Sequence, residues 1–335
     1  MHRLKTLTLA LMLITFSITG LRAAEVSVEL LIQLNQEGAQ AYNLSDYPTA
    51  LEKWEKGLEL SRQAKHQRAI SLFIGSLGMV YDHLGQYNQA LESYQQALAI
   101  ARKIKYRRGE GANLGNIGVV YQKLGQYQKA LESYNQALAI ASELKDRGGI
   151  GKNLSHIGIV YQSWGQYLKA LEYYLQALAI DRELKDRRGE EVDLGNIGIV
   201  HKNLGQYNQA LEYYQQALAI ARELKNPGRV GDNLGNIGVV YQNWGQYQKA
   251  LEYYQQALAI ARELKKPQGI GNNLLNIGVV YHNLGQYNQA LAYYQQALDI
   301  HRKLKDKRRE GTDLGNIGVV HQNLGEYPKA LESYQ

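Results

Sequence analysis

The stretch NIGVVYQNWGQYQKALEYYQQALAIARELK, Asn236 to Lys265, decides how this chain is read. Forty residues earlier, from Asn196, the text is NIGIVHKNLGQYNQALEYYQQALAIARELK; forty later, from Asn276, it is NIGVVYHNLGQYNQALAYYQQALDIHRKLK. The tripeptide Gly-Gln-Tyr starts at Gly85, Gly125, Gly165, Gly205, Gly245 and Gly285, with Gly-Glu-Tyr at Gly325 and a degenerate Ser-Asp-Tyr at Ser45. A period this strict means that each unit is one supersecondary element and that neighbours bury each other's apolar faces. The length of 335 residues therefore does not signal two or three independent domains.

Within one unit, Leu114, Ile117, Gly118, Tyr121 and Leu124 share one helical face. A second run, Ala130, Leu131, Tyr134, Ala137, Leu138, Ala141 and Leu144, makes a wider stripe. A helix covered on one side needs about 100° of apolar surface, so the wider stripe predicts contact with two neighbours, its own partner and the first helix of the next unit. Leu124-Gly125-Gln126-Tyr127 reads as the turn between the two helices. Small residues at Gly118, Ala130 and Ala137 let the axes approach. The class expected is all-α.

These residues resemble the tetratricopeptide repeat (TPR) family. Its pattern of a bulky residue, Leu/Ile with Gly or Ala, an aromatic, Ala, an aromatic and Ala is met by Leu114, Ile117 with Gly118, Tyr121, Ala130, Tyr134 and Ala137. The resemblance covers roughly 35 to 335 and implies an α-solenoid of antiparallel helix pairs wound as a right-handed superhelix. The 40-residue unit is similar to the longer Pins/LGN and kinesin-light-chain variant, with the second helix extended through Ile140 to Lys145. His201 and His321 replace the first aromatic, and the first unit, with Trp54, looks like a terminal cap. We take residues 24–335 as eight repeats, the first divergent and the last cut short at Gln335.

The N-terminus, MHRLKTLTLALMLITFSITGLRAAEVS, resembles a secretory signal over residues 1–23, its apolar run from Leu7 to Ile18 being short for a membrane span. Export to the periplasm or medium is the expectation, with an uncleaved N-terminal membrane anchor as the alternative. Without Arg3, Lys5 and Arg22 the formal charge of +7 falls to +4, a weak pull on anions. The chain has no Cys, which removes disulfides and thiol chemistry. Its eight His show no pairing at metal spacing. Gly148-Gly149-Ile150-Gly151-Lys152 lacks the strand and the final Ser/Thr of a phosphate loop and reads as an inter-helix turn. No catalytic residue, metal or cofactor is expected.

The informative feature is polar. The resemblance implies that the first helices line a concave groove and that their exposed face contacts ligand. On that face stand Asn116, Asn196, Asn236, Asn276 and Asn316, with Ser76 and His156 in the second and fourth units. Near them come Gln122, Gln162, Gln242 and Gln322, then Asn203, Asn243, Asn283 and Asn323. Asn inside a helix costs several tenths of a kcal/mol against Ala, so its repetition asks for a reason. An amide both donates and accepts and can satisfy the backbone of an extended peptide. The competing reading is hydrogen bonding between adjacent first helices, copied by duplication. Gly115 and its equivalents are expected to open the groove, and Leu275 to narrow it.

Lys123, Lys152 and Lys202 lie scattered among the amides, which disfavours the carboxylate-clamp mode known in the family. The basic clusters Arg107-Arg108, Arg187-Arg188 and Lys307-Arg308-Arg309 read as turn residues, and Pro227 and Pro267 as lying in turns. Without an aromatic platform beside the basic clusters, nucleic acid is not expected. The functional expectation is a non-catalytic scaffold that binds a protein or peptide. Two alternatives stand beside it: the regulatory part of a larger CHAT-like peptidase effector ending early at Gln335, and a self-assembling array stacking end to end.

Overall fold

The computed structural model describes residues 27–335, so the expected signal segment lies outside the described residues. Sixteen helices, and no strands, are found among those residues. The chain divides into two compact units, one ending at Val160 and one running from Tyr161 to Gln335.

The first unit contains α1 (Val28–Asn43), α2 (Tyr47–Gln63), α3 (Gln67–His83), α4 (Tyr87–Lys103), α5 (Arg107–Lys123), α6 (Tyr127–Glu143) and most of α7 (Arg147–Ser163). The second contains the end of α7, then α8 (Tyr167–Leu184), α9 (Arg187–Asn203), α10 (Tyr207–Glu223), α11 (Pro227–Asn243), α12 (Tyr247–Glu263), α13 (Pro267–Asn283), α14 (Tyr287–Lys303), α15 (Lys307–Asn323) and α16 (Tyr327–Tyr334). Within each unit consecutive helices pack as antiparallel pairs, and each pair packs on the next, the layered order of an α-solenoid.

The turns follow from backbone chemistry. After α1 Ser45, and after every later first helix a glycine, takes the left-handed conformation, φ 62° for Ser45 and 70° to 77° from Gly85 to Gly325, and the next amide reaches back across the turn, as Gln86 N does to Tyr81 O at 2.8 Å. After each second helix the same conformation falls to lysine: Lys65, Lys105, Lys145, Lys185, Lys225, Lys265 and Lys305, φ 50° to 57°. An L-residue there costs about 1 to 2 kcal/mol; the ammonium beside the negative helix end offsets part of that.

Side chains of α5 show how the stripes are used. Leu114, Ile117 and Val120 meet Ala90, Tyr94 and Leu98 of α4 and Ala137 and Ile140 of α6. In the second unit Leu274, Ile277 and Val280 of α13 repeat this between Tyr254 and Leu258 of α12 and Ala297 of α14. The glycine beside the core aromatic is a close approach: a Cβ on Gly118 would stand 2.7 Å from the Tyr134 ring. His201, in place of the first aromatic, stacks on Tyr213 and bonds Gln206 at 2.6 Å, which is how the fold absorbs it.

Three turn assignments need correction. Pro227 and Pro267 are the first residues of α11 and α13, where a missing N–H costs nothing. Gly148 to Lys152 lies inside α7. The basic clusters form the first turns of α5, α9 and α15, against the helix dipole. The first arginine of two clusters is neutralised: Arg107 grips Glu143 of α6 at 2.5 Å and Glu110 of its own helix, and Arg187 repeats this with Glu223 and Glu190.

Candidate functional site

Two cavities lie between successive first helices, floored by the second helix between them. In the first unit a cavity of about 230 Å³ is lined by Gly111, Gly115 and Asn116 of α5, Ile140 of α6, and Lys152, Asn153 and His156 of α7. In the second unit one of about 180 Å³ is lined by Gly231, Gly235 and Asn236 of α11, Ile260 of α12, and Asn272, Asn273 and Asn276 of α13. Sites for drug-sized molecules run from roughly 300 Å³ upward; these two are smaller, nearer the size of a single side chain.

The asparagines fall into two sets. Asn113, Asn153 and Asn273 each donate from Nδ2 to the carbonyl four residues back, at 2.8 to 2.9 Å. Asn233 donates to Glu191 at 2.7 Å and to Arg229 O at 3.0 Å. Sequence reasoning missed this set, although its 40-residue spacing was visible. In the ladder set, Asn116 lines the first cavity and Asn236 and Asn276 the second, and all five members are half-buried. Asn196 keeps its Nδ2 buried with no hydrogen-bond partner. His156, at the ladder position of α7, lies flat on Tyr134 with ring centres 5.1 Å apart. Burial, with Lys152 nearby, brings its pKa down to about 4, so it is neutral.

The glutamines have another duty. Gln122, Gln162, Gln242 and Gln322 accept through Oε1 from the hydroxyls of Tyr134, Tyr174, Tyr254 and Tyr334 at 2.9 to 3.4 Å. At the same position of α9 stands Lys202, and the Tyr214 hydroxyl is buried without a partner. An unsatisfied buried hydroxyl costs about 1 to 3 kcal/mol. Lys202→Gln is therefore expected to raise stability by about 1 to 2 kcal/mol in a urea titration; no gain would mean that Tyr214 is satisfied by solvent.

Apart from those two sets, Asn203, Asn243, Asn283 and Asn323 are exposed at the ends of their helices and outside both cavities; Asn323 meets His282 at 2.9 Å. Leu275 packs into the neighbouring cores. The lysines are sorted by their surroundings: Lys123 bridges Asp82 at 2.8 Å, and Lys202 is half-buried with its pKa lowered by desolvation.

At the seams between one pair and the next, an alanine of the second helix faces the tied asparagine, as Ala141 and Ala261 do with Asn153 and Asn273. Two seams carry a pair of ionisable side chains instead. Asp181 of α8 and Asp193 of α9 are 9% and 1% exposed and hydrogen-bonded to each other. Burial pushes Asp181 up to about 6, and Asp186 and Glu190 add to this. The neighbouring cations serve other acids: Arg182 and Arg187 hold Glu190, and Arg229 holds Glu191. His301 of α14 and Asp313 of α15 form a fully buried pair at 2.6 Å, and burial raises the Asp313 pKa.

Among the described residues no three His, Asp or Glu side chains gather as a metal site, and no helix is long and apolar enough to cross a membrane.

The family described as tetratricopeptide repeat matches residues 30–103, 110–183, 192–263 and 270–335. No curated protein matches the chain. Among solved structures, BtubC (BKLC) from P. vanneervenii is 25% identical, with TM-score 0.59 over 65% of this chain and 92% of its own. The apo quorum sensor NprR from B. thuringiensis gives TM-score 0.70 at 15% identity, covering 98% of this chain and 92% of its own. A Rap protein complexed with Competence and Sporulation Factor gives TM-score 0.64 at 18% identity, over 83% of this chain and 77% of its own.

Proposed function

Because the chain belongs to the tetratricopeptide repeat family, we propose that it is a non-catalytic protein-interaction scaffold whose concave cavities hold an extended peptide segment of a partner. The observation that carries this is the contrast between the two asparagine sets. One is tied to helix carbonyls or to Glu191. The other makes no hydrogen bond within the protein, and one of its amide nitrogens is buried. Bonding between adjacent first helices was the competing reason for the ladder, and the ladder side chains make no such bond. A peptide backbone, with a donor and an acceptor at every residue, fits an amide left open. Cavities of side-chain size, open at Gly115 and Gly235, support the same reading. So does the Rap protein of similar fold that was solved with Competence and Sporulation Factor.

The test is a variant with Asn196, Asn236 and Asn276 all changed to Ala, compared with wild type in a pull-down of partner protein. Three lost amide contacts at about 0.5 to 1.5 kcal/mol each weaken capture by about a hundredfold, while helicity is unchanged or raised, because Ala is the better helix former. Equal capture by both proteins would reduce the ladder to a structural feature.

A further inference from the structure

The two cavities share one frame and differ at the rim. Gly111, Gly115, Asn116, Ile140 and Asn153 of the first correspond to Gly231, Gly235, Asn236, Ile260 and Asn273 of the second, each 120 residues on. At the rim, Arg108 is matched by Gly228, Lys152 by Asn272, and Ala112 by Asp232. The frame is thus an internal control, and the charges are what vary.

Arg108 differs from its neighbour Arg107. Both are in the first turn of α5, but Arg107 is spent on Glu110 and Glu143, whereas Arg108 is exposed, lines the cavity and has no acid partner. Lys152, one and a half turns into α7, is likewise exposed and without an acid partner. The one carboxylate at this rim, Asp146, accepts from Gly149 N at 2.9 Å and offsets one of the two cations, so the first rim keeps an excess of one positive charge where the second, with Asp232 against Lys266, has none. His156, one turn beyond Lys152 on α7, also lines the cavity, neutral and stacked on Tyr134. The second cavity has Asp232 at its rim, with Lys266 as its cation.

Resting on the peptide-groove reading above, we propose that the cavity of the first unit takes the side chain of an Asp or Glu within the bound segment, held by Arg108 and Lys152 while Asn116 holds backbone. The second cavity, with Asp232 at its edge, does not select an acid. The site serves an internal side chain: the cations come from two helices facing across one side-chain-sized cavity, with the backbone ladder beside it.

The experiment selects binders from displayed random short peptides fused through their C-termini, so that no free terminal carboxylate is offered. The baits are wild type, Arg108→Gly with Lys152→Asn, and Asn116→Ala. Both rim replacements are residues that α11 and α13 already carry at these positions, so folding is expected to hold and is checked by circular dichroism. Wild type should enrich Asp or Glu at one position, and the enriched peptides should weaken at raised salt. The rim variant should still retain binders but bind the acidic ones about five- to tenfold less well, the scale of two partly exposed charge contacts. Asn116→Ala should weaken acidic and neutral peptides alike. Equal acid enrichment on wild type and the rim variant, or enrichment only when a free C-terminal carboxylate is supplied, overturns the proposal and leaves the groove intact. Failure of wild type to retain any peptide overturns the groove reading as well.

Discussion

Changing Asp181 to Ala and Asp193 to Asn together will stabilise the second unit at pH 7.5 and do about half as much at pH 5. The pair restores the side chains of the Ala141–Asn153 and Ala261–Asn273 seams. In the native protein burial holds the Asp181 pKa at about 6, above its ordinary 3.8. Between those values the folded chain binds more protons than the unfolded one, so stability falls as pH rises through the window, and the deficit is complete above it. A rise from 3.8 to about 6, at about 1.4 kcal/mol per pH unit, bounds the effect near 3 kcal/mol, and contact with solvent at the seam's edge brings it to about 2. Hydrogen exchange of the α8 and α9 amides at the two pH values reads this locally, without assuming that the array unfolds in one step. An identical pH dependence in wild type and variant would mean that the two carboxyls do not share a proton in the fold. The ion-paired acids act in the opposite direction: Glu143 and Glu223, held low chiefly by Arg107 and Arg187, contribute stability that is lost as pH falls. The comparison between variant and wild type isolates the seam from them.

Two glycines three residues apart on α11 will respond to alanine in opposite ways. At Gly238 a Cβ would stand 2.7 Å from the Tyr254 ring, which is fully buried and anchored by its hydroxyl to Gln242 at 2.9 Å. The ring has nowhere to retreat, and Gly238→Ala is expected to cost about 2 to 3 kcal/mol by overpacking. At Gly235 the nearest atom outside the helix backbone is Asn273 Oδ1 at 3.8 Å, ordinary contact, so Gly235→Ala should gain about 1 kcal/mol from helix propensity. Thermal or urea unfolding of the two single variants checks the pair, and similar effects at both positions would refute the close packing of α11 on α12. A Gly235→Ala protein that is more stable yet binds peptide less well would mean that the groove needs this position bare.

The sequence carried the pairing of helices because its signal was repeated seven or eight times in register, and each copy said the same thing about which face is apolar. It carried the Asn ladder for the same reason. What it misplaced lay at helix starts: Arg107, Arg108, Pro227 and Gly148 have composition typical of turns, yet the chain turns in only two or three residues and these positions are already helical. Arginines at a positive helix end look unfavourable along the chain; they are tolerated because Glu143 and Glu223 lie across the seam, thirty-six residues away. The bond from the glutamines to the buried tyrosines was not legible, since a polar residue near a groove and one that satisfies a buried tyrosine are identical in sequence.

By itself the sequence determined the period, the all-α class, the two faces of every helix and the absence of thiol chemistry, because these depend on side-chain spacing within one helix and on composition. Only the tertiary structure decided which asparagines are tied and which open, which cations are paired and which free, and which carboxyls are buried side by side. Each of those depends on an atom contributed by another helix, and hydrogen-bond satisfaction, ion pairing and desolvation are properties of the neighbours a residue acquires on folding.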